Sequence, residues 1–332
     1  MPEPARCSAV VCGVGASLPA HTVSNEDLAA QLDTSDTWIH QRTGISHRHV
    51  TQPGTSTADL ATQAAARALK SAGRRHVDAV VLATATPDDQ LPATAPAVAS
   101  RLGLHEACAF DVAAVCTGFV YALATATGLI TAGTAHSALV IGADRLSHLC
   151  ACDDRTTRPL FGDGAGALVL RRGTPGEPGS TGPFILGSDG EHAGLLRAPH
   201  GGHLRMQGPE LFRHAVTRMS TAAQAAARAA GWPLQDIDHL VPHQANARIT
   251  NAVSDRLHIP PHARLSNIAD RGNTSAASIP LLLSEASADG RLQAGHRLLI
   301  CAFGAGLTWG ATTLTWPALP AHPERSQPCT TT

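Results

Sequence analysis

The chain has 332 residues, 43% of them hydrophobic and 15% charged, with a formal net charge of −1. That is enough apolar material for a large core in one or two domains, with no basic excess for a nucleic-acid footprint. No apolar run reaches membrane-spanning length without polar interruption, and MPEPARCSAVVCGVG has no charged region leading into an apolar core; neither a membrane span nor a signal peptide is expected, and a cytoplasmic protein is expected. The eight cysteines are then expected as thiols. Cys150 and Cys152, in CAC, lack a second Cys or His pair at zinc spacing, and no metal is expected.

In chain order, SAVVCGVGASLP (8–19) reads as a strand and turn. SNEDLAAQL (24–32) opens with a Ser/Asn cap and acidic residues, as a helix start does. STADLATQAAARALKSAG (56–73) carries the capping pattern Ser56-x-x-Asp59 and closes on Gly73. VDAVVLATA (77–85) is nearly all apolar, which predicts a strand covered on both faces. A helix over 93–102 follows, then ACAFDV (107–112) as a short buried strand. DVAAVCTGFVYALATATGLITAG (111–133) predicts a buried helix running to about Thr131 and ending at Ala132-Gly133. SALVIGA (137–143) is a strand. Residues 144–161 are polar and irregular, and RRGTPGEPGSTG (171–182) is a Gly/Pro loop.

The second half repeats the outline, with helices at 209–231, 245–258 and near 275–288, and strands at 238–243, 296–303 and 307–316. The reading is a duplicated α/β chain with halves 1–172 and 183–316 and a disordered Pro/Thr-rich tail over 317–332. Gly13-x-Gly15 and FGDGAGALVL (161–170) lack the spacing and the strand-loop-helix context of a nucleotide site, and read as tight turns.

Cys116 lies at a strand-to-helix turn. Unpaired amides at a helix N-terminus favour an anion, so a lowered thiol pKa is expected there. A cysteine nucleophile needs a partner that manages protons or charge. Of 18 histidines, His243 stands out, because it ends DHLVPH and begins HQANARI, a matching turn in the other half. Asn273 in DRGNTSAASIP is the third group. Gly272 permits a tight turn before it, and Thr274 or Ser275 is a candidate cap for the next helix. Three strand-to-helix edges of a doubled fold would converge these groups on one pocket.

DVAAVCTGFVYAL, FGDGAGALVL, LVPHQANARI, DRGNTSAASIP and FGAGLTWGA, with DTSDTWIHQRTGI (33–45), resemble the motif set of the β-ketoacyl-acyl-carrier-protein synthase III family, over about residues 8–316. The resemblance implies a thiolase fold, a duplicated α-β-α-β-α architecture of five layers. It implies that Cys116 accepts an acyl group from acyl-CoA, and that His243 and Asn273 hydrogen-bond the malonyl thioester oxygen of malonyl-acyl-carrier protein as CO₂ leaves. The oxyanion on the acyl-Cys116 carbonyl would meet the Cys116 amide and the loop at Ala305 and Gly306. No cofactor is implied, CoA entering only as the thioester substrate. Trp38 resembles the residue that stacks on the adenine of CoA, Arg155 its cationic partner, Thr34 a lining residue, and Arg42 a neighbour of the phosphates. Arg248 resembles the arginine at the tunnel mouth, with Arg213 and Arg256 extending a basic patch for the acidic carrier protein. Phe303 and, across a homodimer, Leu91 would bound the acyl pocket.

The chain departs from the family pattern at Ala305 and Leu307 (commonly Gly and Phe), at Pro209 (often Asn) and at Asp255 (a common basic position). Leu91 is smaller than the Phe of strict acetyl users, which predicts a pocket that accepts longer or branched primers. The competing reading is an acyltransferase of the same fold that loads Cys116 without condensation.

Overall fold

Nine strands form two larger sheets in a computed structural model that describes residues 7–320. In chain order the first half runs β1 (Ser8–Ser17), β2 (Thr22–Ser24), α1 (Asn25–Ala29), α2 (Asp36–Thr43), β3 (His47–His49), α3 (Thr57–Ser71), β4 (Ala79–Ala83), α4 (Thr94–Arg101) and β5 (Cys108–Val112). A 3-10 turn at Val115–Thr117 leads into α5 (Gly118–Thr131), followed by β6 (Ser137–Arg145) and β7 (Asp163–Gly173). Then come β8 (Thr181–Ser188), a 3-10 segment at Gly190–Leu195, β9 (Leu196–Arg197), β10 (Arg205–Met206), α6 (Gly208–Ala229), β11 (His239–Pro242) and α7 (Ala247–Arg256). The last elements are α8 (Ile268–Arg271), α9 (Ser278–Ala288), β12 (Arg297–Gly304) and β13 (Thr308–Thr315).

The first sheet has strand order β1-β7-β6-β4-β5, with β4 parallel to both β6 and β5 and the other pairs antiparallel. The second has order β11-β12-β13-β8, parallel only between β11 and β12. Helices α5 and α9 fill the space between the sheets. Phe119, Val120, Leu123 and Ile130 of α5 and Ile279, Leu282 and Leu283 of α9 share one core with Val81 and Val140 on one side and Ile300 and Leu314 on the other. A helix with no solvent face can be apolar all round, which explains the composition of 118–131. Each fully buried Leu, Ile or Phe there contributes about 1.5–3 kcal/mol. The opposite face of the first sheet is covered by α3 and α4, that of the second by α6 and α7. The result is the five-layered arrangement expected.

Local signals worked where a side chain caps a helix. Ser24 with Asp27, and Ser56 with Asp59, form complete capping boxes. Helix α2 forms inside DTSDTWIHQRTGI, capped by Ser35 and closed by Gly44 in the left-handed conformation. Four expectations fail. The glycines read as tight turns lie inside strands, Gly13 and Gly15 in β1 and Gly164 and Gly166 in β7. ACAFDV is an edge strand instead of a buried one: β5 pairs only with β4, Cys108 is exposed and the rest is half-buried. The Gly/Pro loop is shorter than 171–182, because β7 runs on to Gly173 and β8 begins at Thr181. The tail does not leave the fold at Pro317, since Pro317 is buried and Leu319 packs on the central core; residues 321–332 lie outside the described part.

Candidate active site

Cys116 lies in the 3-10 turn that joins β5 to α5, and is 4% exposed. The turn is reached through Val115 at φ +47, a left-handed conformation that a β-branched residue adopts only at a cost of about 1–3 kcal/mol. Gly304, at the end of β12, lies against this turn. A Cβ there would come within 3.0 Å of the Cys116 amide nitrogen and 3.2 Å of its Cβ, so any larger residue would crowd the turn that carries Cys116. The expected acidic thiol is not found. Burial pushes the Cys116 thiol up to about 12, the polar Ser275 side chain opposes part of the rise, and the buried Asp144 carboxylate adds to it. Desolvation of an anion outweighs the helix N-terminus.

His243 follows β11 directly and is fully buried. Burial pushes its imidazole down to about 3, so the ring is neutral. Nδ1 lies 2.7 Å from Ser278 Oγ at the start of α9. That hydroxyl oxygen also accepts the Gln244 N–H at 3.4 Å, so its own hydrogen is available to Nδ1. The tautomer assigned is therefore the one with hydrogen on Nε2, a donor.

Asn273 is not at a strand-to-helix edge. It stands between α8 and the 3-10 turn Ser275–Ala277, held by backbone bonds to Leu160 (2.8 Å) and Gly162 (3.0 Å). Gly272 makes the turn at φ +65. Neither Thr274 nor Ser275 caps the following helix by its side chain. The Asn273 carbonyl Oδ1 instead accepts the Ser275 N–H at 2.9 Å, which fixes the amide with its NH₂ as the free end. Beneath this loop, buried Asp144 accepts from the amides of Ala276 (3.1 Å) and Ala85 (2.6 Å) and from the Thr84 hydroxyl (3.1 Å). Asp144 thus ties the asparagine loop to the first sheet. Sequence reading misses it because it ends the apolar run SALVIGAD and looks like the start of a loop. Ser278 is missed too, because one serine in a small apolar helix carries no signal.

Cys116, His243 and Asn273 line one cavity of about 740 Å³, together with Phe303, Gly304, Trp38, Arg42, Arg155 and Arg248. The Arg42 and Arg155 guanidinium groups lie 4.7 and 5.1 Å from the Trp38 ring centre. Arg155 also pairs with Asp33 at 3.0 Å on the surface. Arg248 lies over Phe212 at 5.9 Å. Arg213 and Arg256 do not line the cavity; Arg256 is exposed and reaches Thr217 of α6 at 3.4 Å. Asp255 is engaged by Arg264 at 2.5 Å. Pro209 occupies the first turn of α6, where a missing N–H costs nothing.

Two expected positions differ, and Leu91, expected to act across a dimer, is exposed in the single chain. Thr34 does not line the cavity; its hydroxyl is buried before α2 without a partner. Ala305 and Gly306 lie beyond the lining, and Gly304 is the residue of that loop that reaches the cavity. Ala305 is not among the described residues with positive φ, so its side chain brings no left-handed strain. Leu91 does not line the cavity of its own chain and is 87% exposed.

The fold is that of the thiolase-fold condensing enzymes. The 3-oxoacyl-[acyl-carrier-protein] synthase III family model matches residues 110–190, and the model of its C-terminal part matches residues 227–316. A β-ketoacyl-[acyl-carrier-protein] synthase III from Streptomyces coelicolor is 53% identical over 97% of this chain and 98% of its own. Among solved structures, 3-oxoacyl-(acyl carrier protein) synthase III from Pseudomonas aeruginosa PAO1 is 51% identical with TM-score 0.92, over 94% of this chain and 99% of that one. The priming β-ketosynthase of the R1128 polyketide pathway is 35% identical with TM-score 0.90, over 96% and 99%. The chain belongs to the β-ketoacyl-acyl-carrier-protein synthase III family, whose chemistry uses no cofactor.

Proposed function

We propose that this chain transfers an acyl primer from acyl-CoA to Cys116 and condenses it with malonyl-acyl-carrier protein, starting fatty-acid or polyketide chains. The observation that carries this is the single cavity joining a buried thiol, two neutral donors and the Trp38–Arg155 pair. In the loading step Sγ attacks the thioester carbonyl, the C–S bond to CoA breaks, and the thiol proton leaves with CoA. In the second step the malonyl C–CO₂ bond breaks, and its electron pair becomes an enolate held by His243 Nε2–H and the Asn273 amide. The enolate carbon bonds to the acyl carbon, the C–S bond to Cys116 breaks, and the sulfur takes a proton from solvent. Neutral donors suit this work, because a charged imidazolium would hold the malonyl carboxylate as strongly as the enolate. The Cys116 amide, with the loop that Gly304 brings against it, is our assignment for the oxyanion donors.

Trp38 and Arg155 would take the adenine between them, Arg42 the phosphates, and Arg248, Arg213 and Arg256 the acidic carrier protein. Two features support a homodimer: the unpaired outer edge of β5 and exposed Leu91, both of which a second copy would cover. Leu91 then bounds the partner's acyl pocket, and its size lets the pocket accept primers longer or more branched than acetyl. No helix among the described residues is long and apolar enough to cross a membrane, and a cytoplasmic site of action fits.

The test is CO₂ release from malonyl-acyl-carrier protein. Release that needs acylated Cys116 and yields a β-ketoacyl product is expected. Loading without any release would replace condensation by simple acyl transfer.

A further inference from the structure

His192, Glu210 and His214 each place one potential ligand atom within 4.8 Å of the others'. Glu210 and His214 are four residues apart in the first turns of α6 and therefore share a face. His192 approaches from the Gly190–Leu195 segment, its ring 4.6 Å from that of His214. Neither Glu210 nor His214 has an ion-pair partner among the described residues.

We propose that these three side chains form a zinc site on the outer side of the cavity wall. The donor set is two imidazoles and one carboxylate, which suits Zn²⁺ with one position open, whereas Mg²⁺ and Ca²⁺ require oxygen ligands. The surroundings fit. His192 Nδ1 bonds the Asp189 carboxylate at 3.0 Å, leaving Nε2 for the metal, in the carboxylate-histidine-metal arrangement. Asp189 is itself fixed. Its backbone exchanges two hydrogen bonds with Leu307 (2.7 and 2.8 Å), and Arg218, stacked 4.2 Å over Trp309, holds its carboxylate at 2.9 Å. Two carboxylates against one guanidinium leave a local negative balance for a dication. A tetrahedral ion with bonds of about 2.0–2.2 Å would draw the three donor atoms, now within 4.8 Å of one another, closer together.

Occupancy would tie the Gly190–Leu195 segment to the start of α6. Leu196, Pro209, Leu211 and Phe212, close to the three ligands in sequence, wall the substrate cavity. Zinc would thus stiffen one wall of the cavity without touching the reacting atoms, which goes beyond the reaction proposed above.

The test is titration of the full chain with Co²⁺ and Zn²⁺, followed by visible absorption and thermal unfolding. One Co²⁺ per chain is expected, with ligand-field bands of a four- or five-coordinate ion and no sulfur-to-cobalt charge transfer, together with a rise in Tm on adding Zn²⁺ but not Mg²⁺. The double variant His192→Ala/His214→Ala should lose the bands and the Tm rise. Glu210→Gln should weaken binding, and Asp189→Asn should weaken it about 10–100-fold, as loss of a ligand's hydrogen-bond partner does. Acyl loading by the metal-free variants should stay within about twofold of the parent, which shows that they fold. Absence of stoichiometric binding in the parent, an unchanged spectrum in the double variant, or a charge-transfer band from cysteine would each overturn the site.

Discussion

Cys116 and Cys301 make an instructive pair. Both are buried, and burial pushes both thiols up to about 12. Cys301 lies in the middle of β12 with apolar neighbours, and desolvation is the whole cause of its shift. Cys116 lies at the end of a strand, on a turn with a left-handed residue before it and a cavity in front. The difference teaches that reactivity here is not stored as a resting thiolate. In the proposed reaction it comes from the cavity that Cys116 shares with His243 and Asn273, while burial keeps both the thiol and the imidazole neutral.

The largest expected effect breaks the comparison outright. Cys116→Ala should abolish acyl loading, measured as the mass added by acyl-CoA, while Cys301→Ala should still load. Next, His243→Ala and Asn273→Ala should each load normally yet condense on the order of 10²–10³-fold more slowly in single-turnover assays, the usual cost of losing one oxyanion donor. Trp38→Ala sharpens the view that binding and chemistry are separate. Losing a stack on adenine, worth about 1–3 kcal/mol per base, should raise KM for acyl-CoA with little change in kcat. Ser278→Ala should be milder, about tenfold or less in condensation, because it frees the His243 tautomer without removing the ring.

Stability should follow pH by the same logic. His243 is held below its unfolded value near 6.5. Its contribution is complete above that pH and is lost as pH falls toward 3, because the unfolded chain then binds the extra proton. Both cysteines are raised above their unfolded value of 9.0, so their contribution is complete below 9.0 and is lost as pH rises toward about 12, because the unfolded chain loses its proton first. Denaturant unfolding of His243→Gln should show a shallower acid decline than the parent, and an identical decline would refute the assignment.

How much of this was legible beforehand depended on the scale of the signal. The alternation, the buried α5 and the Ser56–Asp59 capping box are local patterns that read correctly, whereas at Ser24 only the cap and the acidic first turn are read and Asp27 completes a box. Cys116, His243 and Asn273 stood out because motifs surround them. Asp144 and Ser278 act through contacts with segments more than about thirty residues away, which no local pattern encodes. The edge position of β5 depends on sheet order, and composition cannot distinguish an edge from an interior apolar strand. The high thiol pKa is misjudged from sequence because a helix N-terminus is visible there whereas depth is not. The His192–Glu210–His214 cluster shows only its Glu210-x-x-x-His214 half in GPELFRH, and the third member arrives from another segment.

The most direct measurement is intact-mass spectrometry of the purified protein with a panel of acyl-CoAs, then with malonyl-acyl-carrier protein. The expected result is one acyl mass on the parent, none on Cys116→Ala, full loading of Cys301→Ala, and discharge as a β-ketoacyl-carrier product, with butyryl or isobutyryl loading at least as well as acetyl. An acyl mass that persists in Cys116→Ala, or one that malonyl-acyl-carrier protein never discharges, would contradict the central claim.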